Sequence, residues 1–295
     1  MKKLLISFIL AFLVVGSSLA QNADKKAKKD NSPVSSPWDT EMLIDNQTTL
    51  DTPAKTLEVY IQHRFGMVNT NHIQDLYGIY APGANVRLAI NYTPIKHLTL
   101  GYGLTKTKMY SDFSAKYILF QQTKSNSMPV GVALYGVAAI DGRSNDNFGE
   151  NYKFANRYSY FGELLVSRKF CNYFSLEAVG NFTHYNMVPV GGNHDVIGLG
   201  FTAAIKFTSQ SSIILQYNTP LKIQKISEQT SFTAANSSKP NFGIGYEVNT
   251  GMHSFQIYLT TASGIIPQEC YMYNQNDWTK GGLMLGFTIT RLWNF

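Results

Sequence analysis

From Thr56 onward, apolar and polar residues alternate with a period of two in segment after segment. In the last of them Leu283, Leu285, Phe287 and Ile289 share one face, and Met284, Gly286, Thr288 and Thr290 the other. Successive side chains of a strand point to opposite sides, so a greasy row backed by a small or polar one suits a sheet between hydrocarbon and water. The alternation predicts twelve strands, at about 56–65, 84–92, 97–107, 112–121, 129–140, 157–168, 173–184, 195–207, 211–218, 240–249, 252–262 and 281–292. An even number lets antiparallel neighbours close without an unpaired edge, which lipid would not tolerate. The expected fold class is therefore all-β: a transmembrane antiparallel up-and-down β-barrel of about twelve strands.

The connections carry the same message. Those after even-numbered segments are short, while four of the six after odd-numbered ones exceed a dozen residues. Short periplasmic turns alternating with longer outer loops are the habit of outer-membrane barrels. Parity then assigns the faces. Outward rows such as Leu57-Val59-Ile61 and Val86-Leu88-Ile90 would meet acyl chains, and inward rows such as Glu58-Tyr60-Gln62-Arg64 would meet the lumen. Two segments fit poorly: 112–121 turns Ile118 and Phe120 inward, and 129–140 is apolar on both faces, so a bulge or a local inner apolar layer is expected there. Twelve strands ~4.8 Å apart and tilted by ~40° give a backbone diameter of roughly 24 Å, which leaves a bore of ~10–12 Å at most.

Lys2 and Lys3 precede an apolar run from Leu4 to Val15, followed by Ser18-Leu19-Ala20. This reads as a secretory signal peptide over 1–20, too short for a spanning helix. Residues 21–54 are polar and broken by Pro33, Pro37 and Pro53, and read as a flexible periplasmic segment. A lumen plug built from Trp38 to Thr49 is the alternative. The barrel would occupy 55–295. The formal charge of +6 is concentrated at the front: six of the 25 basic and two of the 19 acidic residues lie in the first 30, leaving +2 on the rest. No electrostatic footprint for nucleic acid remains. Eighteen Tyr, eighteen Phe and twenty-three Gly suit many strands with aromatic belts and tight turns. Tyr92, Tyr173, Phe174, Phe207, Tyr217, Trp293 and Phe295 are expected in the periplasmic-side belt. Cys171 and Cys270 fall at opposite barrel ends in this topology and are expected to stay unpaired.

Several stretches resemble a known family. Leu43 to Thr49, Leu57-Glu58-Val59 and His63-Arg64-Phe65-Gly66 look like its opening. Leu76-Tyr77-Gly78, Ala84-Asn85-Val86-Arg87-Leu88, Lys116-Tyr117, Ser167-Arg168-Lys169-Phe170, His253-Ser254-Phe255-Gln256, Trp278 and Gly286-Phe287 continue it. The chain resembles the Bacteroidota-type outer-membrane β-barrel family of unknown function, domain-of-unknown-function 5777. The resemblance implies an outer-membrane barrel and brings no substrate, catalytic residue or cofactor.

The lumen-lining candidates are Glu58, Arg64, Arg87, Lys116, Glu163, Glu177, Lys206 and Glu247, four of each sign, which favours internal salt bridges over a one-sign filter. Phe287, Ile289, Trp293 and Phe295 resemble the terminal aromatic signal read by barrel-insertion machinery. No enzyme is expected: a hydrolase needs base and nucleophile in reach, whereas His253 and Ser254 point to opposite faces. Nor are metals or cofactors: His63, His72, His97, His184, His194 and His253 lack ligand spacing, and Asp141 to Glu150 lacks the ordered calcium-loop pattern. Tyr77, Tyr80, Tyr271, Tyr273 and Trp278 are the candidates for a sugar-stacking surface. The expected partners are outer-membrane lipid, insertion machinery and a small solute. The function expected is a narrow passive channel or porin, with a closed-lumen, partner-binding envelope barrel as the alternative.

Overall fold

The computed structural model describes residues 29–68, 73–234 and 236–295. The expected signal segment 1–20, the lysines at 25, 26 and 28, and His72 lie outside the described residues. Two short strands, β1 (Met42–Leu43) and β2 (Asn46–Gln47), precede twelve longer ones. These are β3 (Thr56–Met67), β4 (Asn85–Ile95), β5 (Leu98–Thr105), β6 (Ser111–Phe120), β7 (Gly131–Ile140) and β8 (Tyr158–Cys171). The series continues with β9 (Phe174–Tyr185), β10 (Asp195–Lys206), β11 (Ser211–Pro220), β12 (Asn241–Asn249), β13 (His253–Thr260) and β14 (Met284–Asn294). Each of β3 to β14 pairs antiparallel with its neighbours, and β14 closes on β3 through pairs such as Ile289 with Ile61. All twelve expected strands are present, with ends shifted by a few residues.

The face assignments hold along the wall. In β3, Glu58, Tyr60, Gln62 and Arg64 are buried inside. Leu88, Ile90, Leu100, Leu104, Leu134, Leu164, Phe255 and Ile257 stand exposed outside. A continuous apolar band of this kind would be an aggregation hazard in water and is at home against lipid. The two misfit segments resolve as a bulge and an inner layer together. The β6–β7 register shifts between Ile118 and Phe120, so Ile118 stays inside while Phe120 turns out. Ile118 joins Ala133, Tyr135, Val137, Phe161, Leu165, Val179 and Tyr271 in an apolar cluster within the barrel. Short turns and both ends of the barrel sheet share one rim. The longer connections, including 261–283 with its one-and-a-half-turn helix α1 (Pro267–Met272), gather at the other.

Candidate functional site

The lumen is occupied by the protein's own chain. At the short-turn rim, residues 30–34 run beside the β6–β7 turn, with Val34 N donating to Gln122 O at 2.9 Å and Lys124 N to Ser32 O at 3.0 Å. The chain then enters the barrel: Trp38 and every residue from Thr40 to Thr49 are buried. Trp38, Leu43 and Ile44 pack on Ala204, Ile214 and Tyr258 of the wall. The expectation of a flexible periplasmic segment therefore fails from Trp38 onward, and the plug alternative describes this part. The reason is a matched set of polar groups, which a segment free in water would have no need of.

Asp45, at the tip of the β1–β2 hairpin, is the hub. It is ion-paired with Arg64 and accepts from Gln216 Nε2 (2.7 Å), Asn241 Nδ2 (2.9 Å) and Thr260 Oγ1 (3.1 Å). Its neighbour Ile44 holds a positive φ of 57°, a conformation that costs a β-branched residue on the order of 1–3 kcal/mol. The tip is pinned against that cost by Ile44 N donating to Gln256 Oε1 and Asp45 N to Gln216 Oε1. Nearer the short-turn rim, Glu41 pairs with Lys116 at 3.3 Å and accepts from Thr52 and Thr99. Lys116 also donates to the carbonyls of Thr48 and Leu50. Asn46 exchanges hydrogen bonds with Asn218 and donates to Thr202, and Asp39 holds Lys206 at 2.5 Å.

These contacts revise the charge balance inside. All eight lumen candidates lie on inner rows of the strands, but the four cations do not pair with the four glutamates. Arg64, Lys116 and Lys206 are taken by the plug's Asp45, Glu41 and Asp39, and Arg87 by Asp112 of the wall at 2.6 Å. The wall glutamates are left with neutral donors or none. Glu247 accepts from Thr40 and Ser254, and Glu177 from Thr49 N. Glu58 keeps an oxygen without a partner, and Glu163 has neither a hydrogen bond nor an ion pair among the described residues. Counting signs over those eight residues overlooked Asp112 of the wall and the acids supplied by a segment with no periodicity of its own.

From the long-loop rim, 261–283 descends to meet the plug. Arg64 donates to the carbonyls of Ala262 and Gly264, so one guanidinium ties plug, wall and loop together. Tyr271 lies beside Gly198 and Gly200 of β10, where a Cβ would collide with its ring or hydroxyl. Lys108 pairs with Glu269 at 3.1 Å and sits 4.2 Å from the Tyr273 ring centre. Burial raises the Glu269 carboxyl above the ordinary range, and Lys108 opposes that rise. Of the five expected sugar-stacking aromatics, Tyr271 is thus buried inside and Tyr273 packs against Tyr185, while Tyr77 and Tyr80 are exposed and Trp278 lies on Phe242.

The remaining candidates fall as follows. Phe287, Ile289 and Trp293 share the outer row of β14 and Phe295 follows its last residue; His63 stacks on Phe287 and Arg291 lies over Trp293. Tyr217, expected at the short-turn rim, pairs instead with Phe201 and Phe242 in the half nearer the long loops. Cys171 and Cys270 are free thiols, one exposed and one buried. Asp141 is held by Arg143. Ser254 faces inward while His253 stacks outside on Phe255. Three histidine–carboxylate contacts escaped the sequence reading because their partners are remote, the first being His97 with Asp51 at 2.8 Å. His184 meets Asp195 at 2.7 Å, His194 meets Glu228 at 2.9 Å, and the two rings stack at 6.3 Å.

A closed antiparallel cylinder with an apolar exterior, filled from both ends by its own chain, defines a membrane-spanning barrel protein. The chain belongs to the membrane bound beta barrel domain family (DUF5777), whose profile matches residues 39–293. The match opens inside the plug. Among solved structures the barrel is similar to the NanC porin (9% identity, 81% of this chain and 99% of that one, TM-score 0.48). It is also similar to the KdgM porin (6%, 81% and 99%, 0.47) and to an outer membrane channel from Pseudomonas putida F1 (10%, 92% and 100%, 0.46). No function is carried over at that distance. Among curated proteins, none matches the sequence.

Proposed function

We propose that this protein is an outer-membrane barrel closed at rest, acting in the envelope through what its two rims present rather than as an open passive pore. The observation that carries this reading is the burial of Trp38 to Thr49 inside the cylinder, with loop 261–283 packed above it. In this reading residues 1–20 are a cleaved export signal, the outer row of β14 is what the insertion machinery recognises, and outer-membrane lipid covers the apolar band. The wall–plug contact also favours a second reading. It is largely polar, with Asp45, Asn46, Glu41 and Thr49 held by side chains that water could equally satisfy. Such a wall tolerates wetting, so a small solute could pass once the plug is displaced. Planar-bilayer recording separates the alternatives. The intact protein should be silent, and a variant lacking 38–50 should give discrete conductance steps if passage follows displacement. Steady conductance from the intact, folded protein would overturn the closed reading.

A further inference from the structure

Where the plug tip meets the descending loop, a small internal cavity with room for about one water-sized occupant is lined by Glu163, Tyr135, Phe161 and Tyr271 of wall and loop and by Asp45 and Asn46 of the plug, Asp45 being already paired with Arg64. Glu163 is only 7% exposed, and no cation or donor among the described residues answers it. Asn181, directly opposite Glu163 in the β8–β9 register, is also buried, and both its amide oxygen and nitrogen lack partners. The Tyr271 hydroxyl is buried beside Asn181, and neither group completes a hydrogen bond of ordinary geometry. Side chains facing each other across an antiparallel pair are close enough to share a ligand. Three aromatic rings stand around this carboxyl: Phe161 stacks on Tyr271 at 6.0 Å and meets Tyr135 edge-on at 6.3 Å.

A buried carboxylate without a cation of its own, amide and phenol oxygens, and aromatic faces make up a cation's environment. The size and the donor set narrow the choice. Calcium takes six to eight oxygens and magnesium demands a near-octahedral, partly hydrated shell, neither of which one carboxylate among aromatic rings supplies. We propose that this cavity binds a single water-sized monovalent cation, of the ammonium or potassium class, held by the Glu163 carboxylate with the Tyr271 hydroxyl. Plug residues complete the lining, so the site rests on the plugged state proposed above.

Equilibrium binding of radioactive rubidium to the detergent-folded protein tests it. One rubidium per chain is expected, displaced by excess ammonium or potassium but not by choline. Glu163→Gln should abolish binding, and Glu150→Gln, altering an exposed loop acid, should leave it intact. Absence of binding, displacement by magnesium but not by ammonium, or equal binding by Glu163→Gln would overturn the proposal. Should Glu163→Gln fail to fold, as read by its gel mobility before heating, crystals of the unaltered protein soaked in thallium(I) decide. An anomalous peak beside Glu163 is expected, and its absence refutes the site.

Discussion

Arg64 carries more of the interior than any other single side chain, because it serves the plug, the wall and the loop at once. Removing one partner of a buried pair leaves an uncompensated charge and typically costs about 3–5 kcal/mol. Arg64→Met should therefore lower the urea midpoint of the detergent-folded barrel sharply. Arg64→Met combined with Asp45→Asn should recover much of the loss, because no orphan carboxylate remains; equal midpoints for single and double variants would show that the pair is not coupled. Gly200 is a second single-residue test. A Leu there would occupy the seat of the Tyr271 hydroxyl, so Gly200→Leu should expose 261–283 to proteolysis while the barrel keeps its unheated gel mobility. Unchanged cleavage would contradict this seating. Arg64 was legible as an inward residue from the alternation of β3 alone. Its partner was not, since Asp45 lies in a segment with neither helical nor strand period, and strand parity says nothing about what fills the space it encloses.

Among the elements, the twelve wall strands were legible because lipid and lumen impose opposite chemistries on adjacent residues. Even the two exceptions, β6 and β7, marked the real inner layer around Ile118 and Tyr135. The loops were not, since their contacts join residues far apart in sequence. The clearest case is the clasp between the 186–194 turn and the 221–240 loop, where His194 donates to Glu228 from both its ring and its backbone. The hydrogen bond from the His194 ring is the main cause that holds the Glu228 carboxyl below its ordinary value of 4.5. A carboxyl depressed on folding stabilises the docked form above its unfolded pKa, and that contribution is lost as pH falls through the lower, folded one. Protease protection of 221–240 should hold at neutral pH and fall below about pH 4. Glu228→Gln should show the weaker protection at both pH values. A loop equally protected throughout would mean that the clasp is idle.

At the scale of the whole molecule, the sequence predicted the cylinder and its wet interior surface but left open what occupied it. The bore of ~10–12 Å expected from strand geometry is wide enough for a two-stranded hairpin stripped of water, and β1–β2 with its tip at Ile44 and Asp45 is what stands there. Inserting it answers three of the four candidate cations with Asp39, Glu41 and Asp45, while Arg87 is held by Asp112 of the wall itself, and the glutamates are left over. The signs counted on the strands alone could not disclose that exchange. The central claim, that residues 38–50 lie inside the closed barrel, is tested most directly by tethering. Thr49 and Ser167 touch through their hydroxyls, so cysteines at both positions, with Cys171 replaced by Ser, are placed to form a disulfide. In intact outer membranes the pair Thr49→Cys and Ser167→Cys should cross-link nearly completely under mild oxidation. Reduced thiols at both positions, freely labelled by a periplasmic maleimide, would contradict the account.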